Sequence, residues 1–326
     1  MGQVMLITGG AGYIGSHAVK ELRRKGHRPL VYDNLSTGHR WAVRRDELIK
    51  GDLGDKEHLQ EVIKKEKPVA VMHFAGSIVV SESVERPEFY FRNNVINSFN
   101  LLEAMLVSGV KYFIFSSSAA VYGIPRQIPI PEDHPLGPMN PYGEGKVFVE
   151  RALQWYEEGH GLKYISLRYF NAAGADPEGE LGENHNPETH LIPRILEVAS
   201  GKRPFIEIYG TNYDTHDGTC IRDYIHVTDL AQAHILALDA LLDGTSSRIY
   251  NLGNQRGFSV REVLEAARGV TRCSIPARES PRRAGDPPVL VASSKRIKEE
   301  LSWKPIYDDL ARILSTAWKW MQRRLC

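Results

Sequence analysis

A glycine-rich turn close to the N-terminus limits the fold of this chain more than any other feature. Val4–Thr8 is a short apolar segment, which is typical of a parallel strand buried on both faces. The turn that follows carries Gly9, Gly12 and Gly15, and a helical pattern then continues to about Lys25. Glycines at this spacing let the backbone turn sharply and approach a pyrophosphate at the N-terminus of a helix. Strand, turn and helix together predict a dinucleotide-binding unit.

The residue that follows the second predicted strand indicates which dinucleotide this unit binds. That strand covers residues 29–32 and is followed at once by Asp33. In dinucleotide-binding folds an acidic residue at this position accepts hydrogen bonds from the adenosine ribose. A carboxylate there would repel a 2′-phosphate, so we expect NAD rather than NADP. A surface aspartate unrelated to the glycine-rich turn is the alternative.

Strands and helices continue to alternate through the first half of the chain. Four further strands are predicted at residues 47–50, 68–74, 111–115 and 163–169. The intervening helices are predicted at residues 55–65, 87–108 and 140–158. Crossovers of this length join parallel strands. The predicted fold class is therefore α/β, with a Rossmann-like doubly wound parallel sheet of six strands and a smaller C-terminal substrate lobe.

The second half of the chain lacks the regular alternation of strands and helices and has no candidate catalytic pair of its own. It contains a polar loop with prolines, shorter strand-like segments such as residues 248–252, and a basic loop at residues 281–286. We therefore expect residues 1–170 to form the NAD-binding Rossmann domain. Residues 171–326 should mainly bind substrate, with some exchange of segments between the two lobes.

A tyrosine and a lysine near the middle of the chain form the candidate catalytic pair. Asn140 and Pro141 suit the N-cap and the first position of a helix, which places Tyr142 and Lys146 one turn apart on one face. A free tyrosine has a pKa near ~10, and an ammonium group within ~4–6 Å lowers that pKa. The pair predicts a tyrosine that acts as general acid and base. A chance surface Tyr-x-x-x-Lys is the alternative.

Glycines and a serine around this pair support the catalytic interpretation. Gly143 and Gly145 fall inside the predicted helix, where each costs about 1 kcal/mol relative to alanine, so we expect some group to approach this turn closely. Ser118 follows a strand and opens onto the same crevice as the start of the helix, which predicts a hydroxyl that contacts substrate and tyrosine. Ser117 should point to the opposite face. For Ser118, capping of the strand end is the alternative.

Polar residues after other strands and in one helix are further candidates. Asp52 follows the third strand and is expected to face the adenine. Asn93 and Asn94 interrupt the apolar face of the predicted helix 87–108. Either of them reaches the cofactor, or both are capped or solvent-facing amides.

Composition excludes several classes of function. The 326 residues carry 41 basic and 40 acidic side chains, a net charge of +1, which gives no indication of a nucleic-acid partner or a membrane surface. Cys220, Cys273 and Cys326 are odd in number and widely spaced, so neither a disulfide framework nor a zinc motif is expected. No apolar run approaches the length of a membrane span, and no secretory signal is recognised. We expect a soluble cytoplasmic protein.

One segment superficially offers metal ligands. Residues 185–190 contain His185, Glu188 and His190. The spacing misses the H-x-x-E-H pattern by one residue, and Pro187 prevents the helix that such a site needs. We therefore predict no metal.

These motifs resemble those of the extended short-chain dehydrogenase/reductases, and within them the UDP-sugar 4-epimerases. The likeness covers essentially the whole chain. The segments that carry it are residues 8–17, 33–35, 74–76, 93–95, 115–123, 141–146, 167–171, 218–227, 250–253 and 282–286. The resemblance implies NAD-dependent interconversion of UDP-glucose and UDP-galactose by oxidation at C4, rotation of the 4-keto sugar and return of the hydride. It also implies a homodimer that pairs through helices 87–108 and 140–158, with NAD retained between cycles.

The resemblance assigns roles to individual residues. Tyr142 would be the base, Lys146 would bind the nicotinamide ribose and tune the tyrosine, and Ser118 would relay a proton. The implied cofactor residues are Gly9, Gly12, Tyr13, Ile14, Gly15, Asp33, Asn34, Leu35, Ser36, Thr37, Gly38, Asp52, Leu53, Phe74, Ala75, Gly76, Ser77, Ile78, Asn93, Ser116, Tyr142, Lys146 and Phe170. The implied UDP-hexose residues are Ser118, Tyr142, Asn171, His190, Leu191, Glu207, Ile208, Tyr209, Arg222, Arg283 and Asp286.

Two arginines carry the argument for a diphosphate. Arg222 and Arg283 are planar, permanently charged and able to bind oxygen pairs. Salt bridges to the adjacent Asp223 and Asp286 are the alternative, and the resemblance favours contact with the ligand.

The chain departs from the family pattern at three positions. A lysine often found after the Phe74–Gly76 segment is Ile78 here, and an asparagine of the substrate loop is His190. A large tyrosine that limits room for a 2-acetamido group is Leu290. Because leucine is smaller, UDP-N-acetylhexosamines are an alternative substrate class.

Two further functions are alternatives to the epimerase. A nucleotide-sugar 4,6-dehydratase needs additional acid and base groups just after the serine, where this chain has Ala119 and Ala120. A non-enzymatic NAD sensor on the same fold can lose the tyrosine–lysine pair, which this chain keeps. Both are less favoured than the epimerase.

Overall fold

The computed structural model describes residues 2–44, 47–283 and 286–324. Within these ranges the chain folds into two compact units. The first comprises the residues up to Gly123 together with 135–168 and 231–250. The second comprises residues 124–134, 169–230 and those from Asn251 onward. Whether the functional domains divide at residue 170 stays a prediction.

The strands and helices of the described ranges are as follows. The strands are β1 (Val4–Thr8), β2 (Arg28–Asp33), β3 (Leu48–Lys50), β4 (Ala70–His73), β5 (Tyr112–Ser118), β6 (Lys163–Tyr169), β7 (Asn171–Ala173), β8 (Ile206–Tyr209), β9 (Ile221–His226), β10 (Arg248–Leu252), β11 (Gly257–Ser259), β12 (Ala277–Ser280) and β13 (Val289–Leu290). The helices are α1 (Tyr13–Arg24), α2 (Lys56–Glu66), α3 (Val80–Glu85), α4 (Pro87–Phe91), α5 (Asn97–Val107), α6 (Pro141–His160), α7 (Leu191–Ala199), α8 (Val227–Leu242), α9 (Val260–Thr271), α10 (Lys295–Glu300) and α11 (Leu310–Arg323).

Seven of these strands form one sheet, in the order β10-β6-β5-β4-β1-β2-β3. The pairs of β1 with β2 and β4, of β2 with β3, and of β4 with β5 are parallel. The order reverses between β1 and β4, which is the switch point where ligands bind in such folds. The predicted Rossmann-like α/β sheet is confirmed. The predicted strand number, six, is wrong, because β10 adds a seventh strand beside β6.

The helix predicted over residues 87–108 is interrupted. A π-helical turn over Arg92–Ile96 separates α4 from α5. Such turns widen a helix locally and are frequent at functional sites. The turn contains Asn93 and Asn94, the two asparagines that the sequence singled out.

Each unit has its own apolar core. In the first, α2, α5 and the sheet bury Leu6, Leu59, Val71, Leu101 and Phe113 among others. In the second, α7, α9 and α11 pack with β8 and β9 around residues such as Ile195, Ile208, Val263 and Leu314. Among the residues that the structure describes, no helix is both long and apolar enough to cross a membrane.

Candidate active site

The glycine-rich turn between β1 and α1 has no room for side chains. Gly9 has a φ of +72°, and a Cβ there would lie 2.4 Å from the backbone nitrogen of Ala75. A Cβ on Gly15 would lie 2.3 Å from the carbonyl oxygen of Gly9. Helix α1 starts after Gly12 without a side-chain cap, so its first N–H groups are open to an anionic group. This geometry fits the pyrophosphate of a dinucleotide.

Asp33 is buried at the end of β2 and orders the neighbouring turns. Its carboxylate oxygens accept hydrogen bonds from the backbone N–H of Ala11 at 2.9 Å and of Leu35 at 2.8 Å. Burial raises the pKa of the Asp33 carboxyl group, and the two N–H donors partly lower it. Carboxylate oxygens have about four acceptor sites between them, so capacity remains for ribose hydroxyls.

The segments after β2 and β3 are joined by a second aspartate. Asp52 accepts a hydrogen bond from the Asn34 side chain at 2.7 Å and another from the backbone N–H of Gly54 at 2.7 Å. The Asn34 oxygen in turn accepts from the backbone N–H of Ser36 at 2.9 Å. The predicted cofactor residues 33–38 and 52–53 thus form one connected rim.

The two asparagines of the π-helical turn have different tasks. Asn94 is buried, and its amide accepts from the N–H of Ser77 and donates to the carbonyl of Ser77, both at 2.8 Å. Asn94 therefore holds the loop after β4. Asn93 is half-buried and donates to the Ser77 hydroxyl at 3.0 Å, so Asn93 stays the candidate for cofactor contact.

The catalytic helix begins as the sequence predicts. The Asn140 side chain caps α6 by accepting a hydrogen bond from the N–H of Gly143 at 2.9 Å, and Pro141 occupies the first turn. Tyr142 lies in this turn, and Ser118 at the end of β5 is near enough to lower the pKa of its phenol. The structure therefore brings together the predicted tyrosine and serine.

Lys146 is buried one turn further along α6. Its Nζ donates to the carbonyl of Ser116 at 2.7 Å and lies 5.7 Å from the centroid of the Tyr142 ring. Burial lowers the pKa of Lys146 to about 8, and the charge of Glu150 opposes this. The Ser116 hydroxyl is buried and has no hydrogen-bond partner within the described chain, and buried polar groups normally have one. A bound cofactor would supply it.

The electrostatics of Tyr142 differ from the sequence expectation. Burial raises the pKa of the Tyr142 phenol, and the hydrogen bond with Ser118 partly lowers it. The expected lowering by the ammonium of Lys146 is therefore not found in the protein alone. The physical reason is that the loss of water around the phenolate outweighs other influences.

The close approach expected at Gly143 comes from the protein itself. A Cβ at this position would lie 2.6 Å from the carbonyl oxygen of Ala120. At Gly145 the nearest atom would be a methyl carbon of Val95 at 3.3 Å. Gly143 thus lets α6 pack directly against the segment that follows Ser118.

We expect Gly143→Ala to lower kcat by about 10- to 100-fold, because a shift of the first turn of about 1 Å misplaces Tyr142. Gly159→Ala is the matched control in the same helix, since a Cβ there has nothing within 4 Å. The control should keep kcat and gain up to about 1 kcal/mol of stability. Steady-state kinetics and urea unfolding of both variants measure these effects. Equal kcat values for the two variants would refute the packing argument.

Sequence reasoning missed two buried polar groups behind the site. His73 ends β4 and contacts the hydroxyls of Thr8 at 2.7 Å and Ser98 at 2.8 Å. Burial and the charge of Lys146 lower the pKa of His73 to about 3, so it is neutral. Glu150 accepts a hydrogen bond from Ser117 at 2.5 Å. The sequence did contain signals for both. His73 is a polar residue at the end of an apolar strand, and Glu150 is an acidic residue one helical turn after Lys146.

The residues predicted to bind the UDP-hexose lie in the second unit, apart from Ser118 and Tyr142. Tyr209 donates to Glu207 within β8, and the Arg283 guanidinium lies 4.0 Å from the centroid of the Tyr209 ring. Arg222 pairs with Asp286. The same unit holds Phe170, a predicted cofactor residue, together with Asn171 and Ile208 in strands and His190 and Leu191 at the start of α7.

The alternative salt bridge between Arg222 and its neighbour Asp223 is not formed, but Arg222 does form one with Asp286. Asp223 is buried and accepts from the backbone N–H groups of Asn254 at 2.7 Å and Ala292 at 3.1 Å. Burial raises the pKa of Asp223 to about 7. Successive side chains of a strand point to opposite faces, so Arg222 reaches Asp286 instead.

Comparison with known proteins gives consistent matches. Residues 5–253 match the NAD dependent epimerase/dehydratase family. The chain is 51% identical over 315 residues to the UDP-glucose 4-epimerase of Lacticaseibacillus casei, covering 96% of this chain and 95% of that protein. It is 48% identical over 320 residues to that of Rhizobium meliloti, covering 98% and 97%.

Solved structures agree with these sequence matches. UDP-glucose 4-epimerase from Brucella ovis in complex with NAD superposes with a TM-score of 0.94 at 49% identity, covering 97% of each chain. The UDP-Glc/GlcNAc 4-epimerase of Campylobacter jejuni superposes with a TM-score of 0.86 at 42% identity, covering 99% of this chain and 100% of that one.

Proposed function

The chain belongs to the NAD dependent epimerase/dehydratase family, and from this premise we propose that it interconverts UDP-glucose and UDP-galactose with NAD as cofactor. Curated relatives near 50% identity over almost the whole length are UDP-glucose 4-epimerases. One observation in the site carries the proposal, namely the buried Lys146, whose Nζ lies 5.7 Å from the centroid of the Tyr142 ring one turn away, with Ser118 lowering the pKa of the Tyr142 phenol. This arrangement suits the removal and return of a hydroxyl proton.

The chemistry assigned to the protein is general acid and base catalysis. Once its phenol is deprotonated, Tyr142 accepts the proton of the sugar C4 hydroxyl and later returns it. Ser118, which influences the pKa of the Tyr142 phenol, relays that proton. NAD, when bound, supplies the acceptor that takes the C4 hydride and gives it back to the other face of the rotated 4-keto sugar.

The cofactor site is supported by the fit of the described residues. The turn at Gly9–Gly15 and the uncapped start of α1 suit the pyrophosphate, and Asp33 suits the adenosine ribose. Lys146 uses one of its three N–H donors on the Ser116 carbonyl, which leaves two for the nicotinamide ribose. The predicted residues 74–78, held by Asn94, complete the proposed site.

The substrate site is proposed to lie mainly in residues 171–326. Arg222 and Arg283 would bind the diphosphate. Arg222 is half-buried on β9 and is aligned by Asp286, whereas Arg283 stacks on Tyr209. A guanidinium held in a fixed plane binds phosphate oxygens in pairs, so both arginines are already oriented for that task.

A second substrate class is proposed from Leu290. This residue lies in β13, where it pairs with Arg222 of β9, and it is half-buried. Because leucine is smaller than tyrosine, the pocket has more room near C2 of the sugar. We therefore expect slower but measurable 4-epimerisation of UDP-N-acetylglucosamine.

The test is turnover by purified protein without added NAD. UDP-galactose should be converted to UDP-glucose, and a nicotinamide cofactor should be released when the protein is denatured. A 4-keto-6-deoxy product would instead indicate a dehydratase, and no turnover with bound NAD would indicate a sensor. A parallel assay with UDP-N-acetylglucosamine that shows no turnover removes the second substrate class.

We also propose a homodimer. Phe148 and Trp155 are 44% and 70% exposed and lie seven residues apart on one face of α6. Ile96 ends the neighbouring π-helical turn and is 49% exposed, and Val107 ends α5 and is 76% exposed. Exposed apolar patches of this kind mark protein interfaces, and paired identical helices suit twofold symmetry.

The cellular setting is proposed on chemical grounds. Cys220 and Cys273 are free thiols, which suits a reducing compartment and a cytoplasmic location. Interconversion of UDP-galactose and UDP-glucose would place the protein in galactose metabolism.

A further inference from the structure

The loop before α7 gathers four side chains that can bind a metal. They are Glu183, His185, Glu188 and His190, and one ligand atom from each lies within 4.8 Å of all the others. Pro187 prevents only a helical metal site, whereas a loop site does not need that helix and can include Glu183. The structure confirms that there is no helix here, but the loop brings the donors together without one.

The contacts within the group are close. His185 Nδ1 is paired with Glu183, and His190 Nδ1 lies 2.8 Å from Oε1 of Glu188 and 3.9 Å from Oε2 of Glu183. Glu183 therefore faces both imidazoles, and His190 faces both carboxylates. The side chains of Glu183 and Glu188 are only 9% and 6% exposed. Two buried carboxylates facing two imidazole nitrogens form a donor set of two nitrogens and two oxygens.

The donors are held in place by their surroundings. Glu183 accepts from the backbone N–H of Asn184 at 2.8 Å, and Glu188 from that of His190 at 2.7 Å. The Glu183 carbonyl accepts from the Trp320 indole at 3.0 Å, which fixes the loop to α11. Supporting hydrogen bonds of this kind orient the ligands of metal sites.

We propose that Glu183, His185, Glu188 and His190 bind one Zn²⁺ ion. Zinc prefers tetrahedral nitrogen and oxygen ligands, with bonds of ~2.0–2.2 Å that place neighbouring ligand atoms about 3.3 Å apart. The ligand atoms all lie within 4.8 Å of one another, so the most distant pairs have to close by up to about 1.5 Å to reach that geometry. Two carboxylates neutralise the charge of a divalent ion. Imidazole ligands disfavour Mg²⁺ and Ca²⁺, which take oxygen ligands.

The site would be structural. All four protein positions are filled by ligands, which is typical of structural rather than catalytic zinc. The ion would tie residues 183–190 together just before α7, whose N-cap is His190. Of the four ligands only His190 is also assigned to the UDP-hexose by the resemblance, so zinc binding is measured separately from turnover and does not depend on it.

The experiment measures zinc binding to full-length protein without a histidine tag, after removal of metals with a chelator. We expect one Zn²⁺ per chain by elemental analysis, no binding of Mg²⁺, and a nitrogen and oxygen shell without sulfur by X-ray absorption. His185→Asn and Glu183→Gln should each weaken Zn²⁺ affinity by about 100-fold or more, since even the loss of a supporting group costs 10- to 100-fold.

His216→Asn is the matched control. The Nε2 atom of His216 lies 3.6 Å from Oε1 of Glu262 and 3.9 Å from Oδ2 of Asp217. His216 therefore also lies beside two carboxylates, but this group of three side chains contains no second imidazole. It should keep wild-type affinity. Melting curves without metal show whether each variant is folded, and the two ligand variants check one another. Stoichiometric Zn²⁺ that survives both folded variants, or no Zn²⁺ binding by wild-type protein, would overturn the proposal.

Discussion

Replacing Tyr142 with phenylalanine should lower kcat for UDP-galactose by at least about 100-fold, the usual contribution of a general acid and base. The variant loses the only group proposed to take the C4 hydroxyl proton, whereas the Ser118 hydroxyl keeps its hydrogen bond from the N–H of Ala120. The ring itself remains, so packing of the first turn of α6 is preserved. KM should change much less than kcat, because the hydroxyl acts on the reacting atoms.

Tyr112→Phe is the control for this prediction. Tyr112 begins β5, six residues before Ser118, and is half-buried, so its variant loses a hydroxyl far from the proposed chemistry. Steady-state rates with both sugars, together with the NAD content of each preparation, separate a chemical defect from cofactor loss. Wild-type kcat in Tyr142→Phe with normal NAD content would refute the catalytic role.

Much of the first unit could be predicted because its signals are local. Apolar strands such as β1 are buried on both faces, and the glycines of the following turn are needed whatever the rest of the chain does. The N-cap Asn140 and Pro141 likewise fix the start of α6, and hence the spacing of Tyr142 and Lys146. These features depend on residues close together in sequence.

Other features depend on partners that are distant in sequence. Position 143 has to be glycine because a side chain there would collide with the carbonyl of Ala120, 23 positions away in the chain. The π-helical turn brings Asn94 to the backbone of Ser77. Strand β10 was predicted, but nothing in its sequence indicates that it pairs with β6. Such pairings are set by tertiary packing, which a single sequence does not display.

Three inferences from the sequence relied on a local pattern at places where a second physical influence also acts. Arg222 was weighed against its neighbour Asp223, although neighbours in a strand face opposite sides. The histidines of residues 185–190 were compared with a helical motif only, although loops also gather ligands. The pKa of Tyr142 was argued from one charge, and burial proved the stronger influence.

Glu150→Ala should destabilise the protein by about 3–5 kcal/mol, the usual cost of leaving a buried charge unpaired. Glu150 and Arg168 are each only 3% exposed, and the Arg168 Nε lies 2.9 Å from the carboxylate. Arg168 also donates to the Tyr122 hydroxyl at 2.9 Å, and Ser117 donates to Glu150. Equilibrium unfolding in urea at saturating NAD measures the loss.

The control is a salt bridge of the same helix at the surface. Glu157 lies 2.7 Å from Lys163, and the two side chains are 27% and 43% exposed. Glu157→Ala should cost at most about 1 kcal/mol, because exposed ion pairs contribute little. A loss in Glu150→Ala no larger than in Glu157→Ala would show that Arg168 finds another partner or water.

A double variant tests whether the loss of stability in Glu150→Ala comes from the buried charge of Arg168 that is left unpaired. Glu150→Leu with Arg168→Met removes both charges, and buried pairs replaced by apolar residues are often no less stable. We therefore expect the double variant to be more stable than Glu150→Ala, despite losing more hydrogen bonds.

The pair also affects Lys146, since the negative charge of Glu150 raises the pKa of Lys146. Without that charge the pKa of Lys146 falls below its wild-type value of about 8. As the pH is raised, activity should therefore begin to decline at a lower pH than in the wild type.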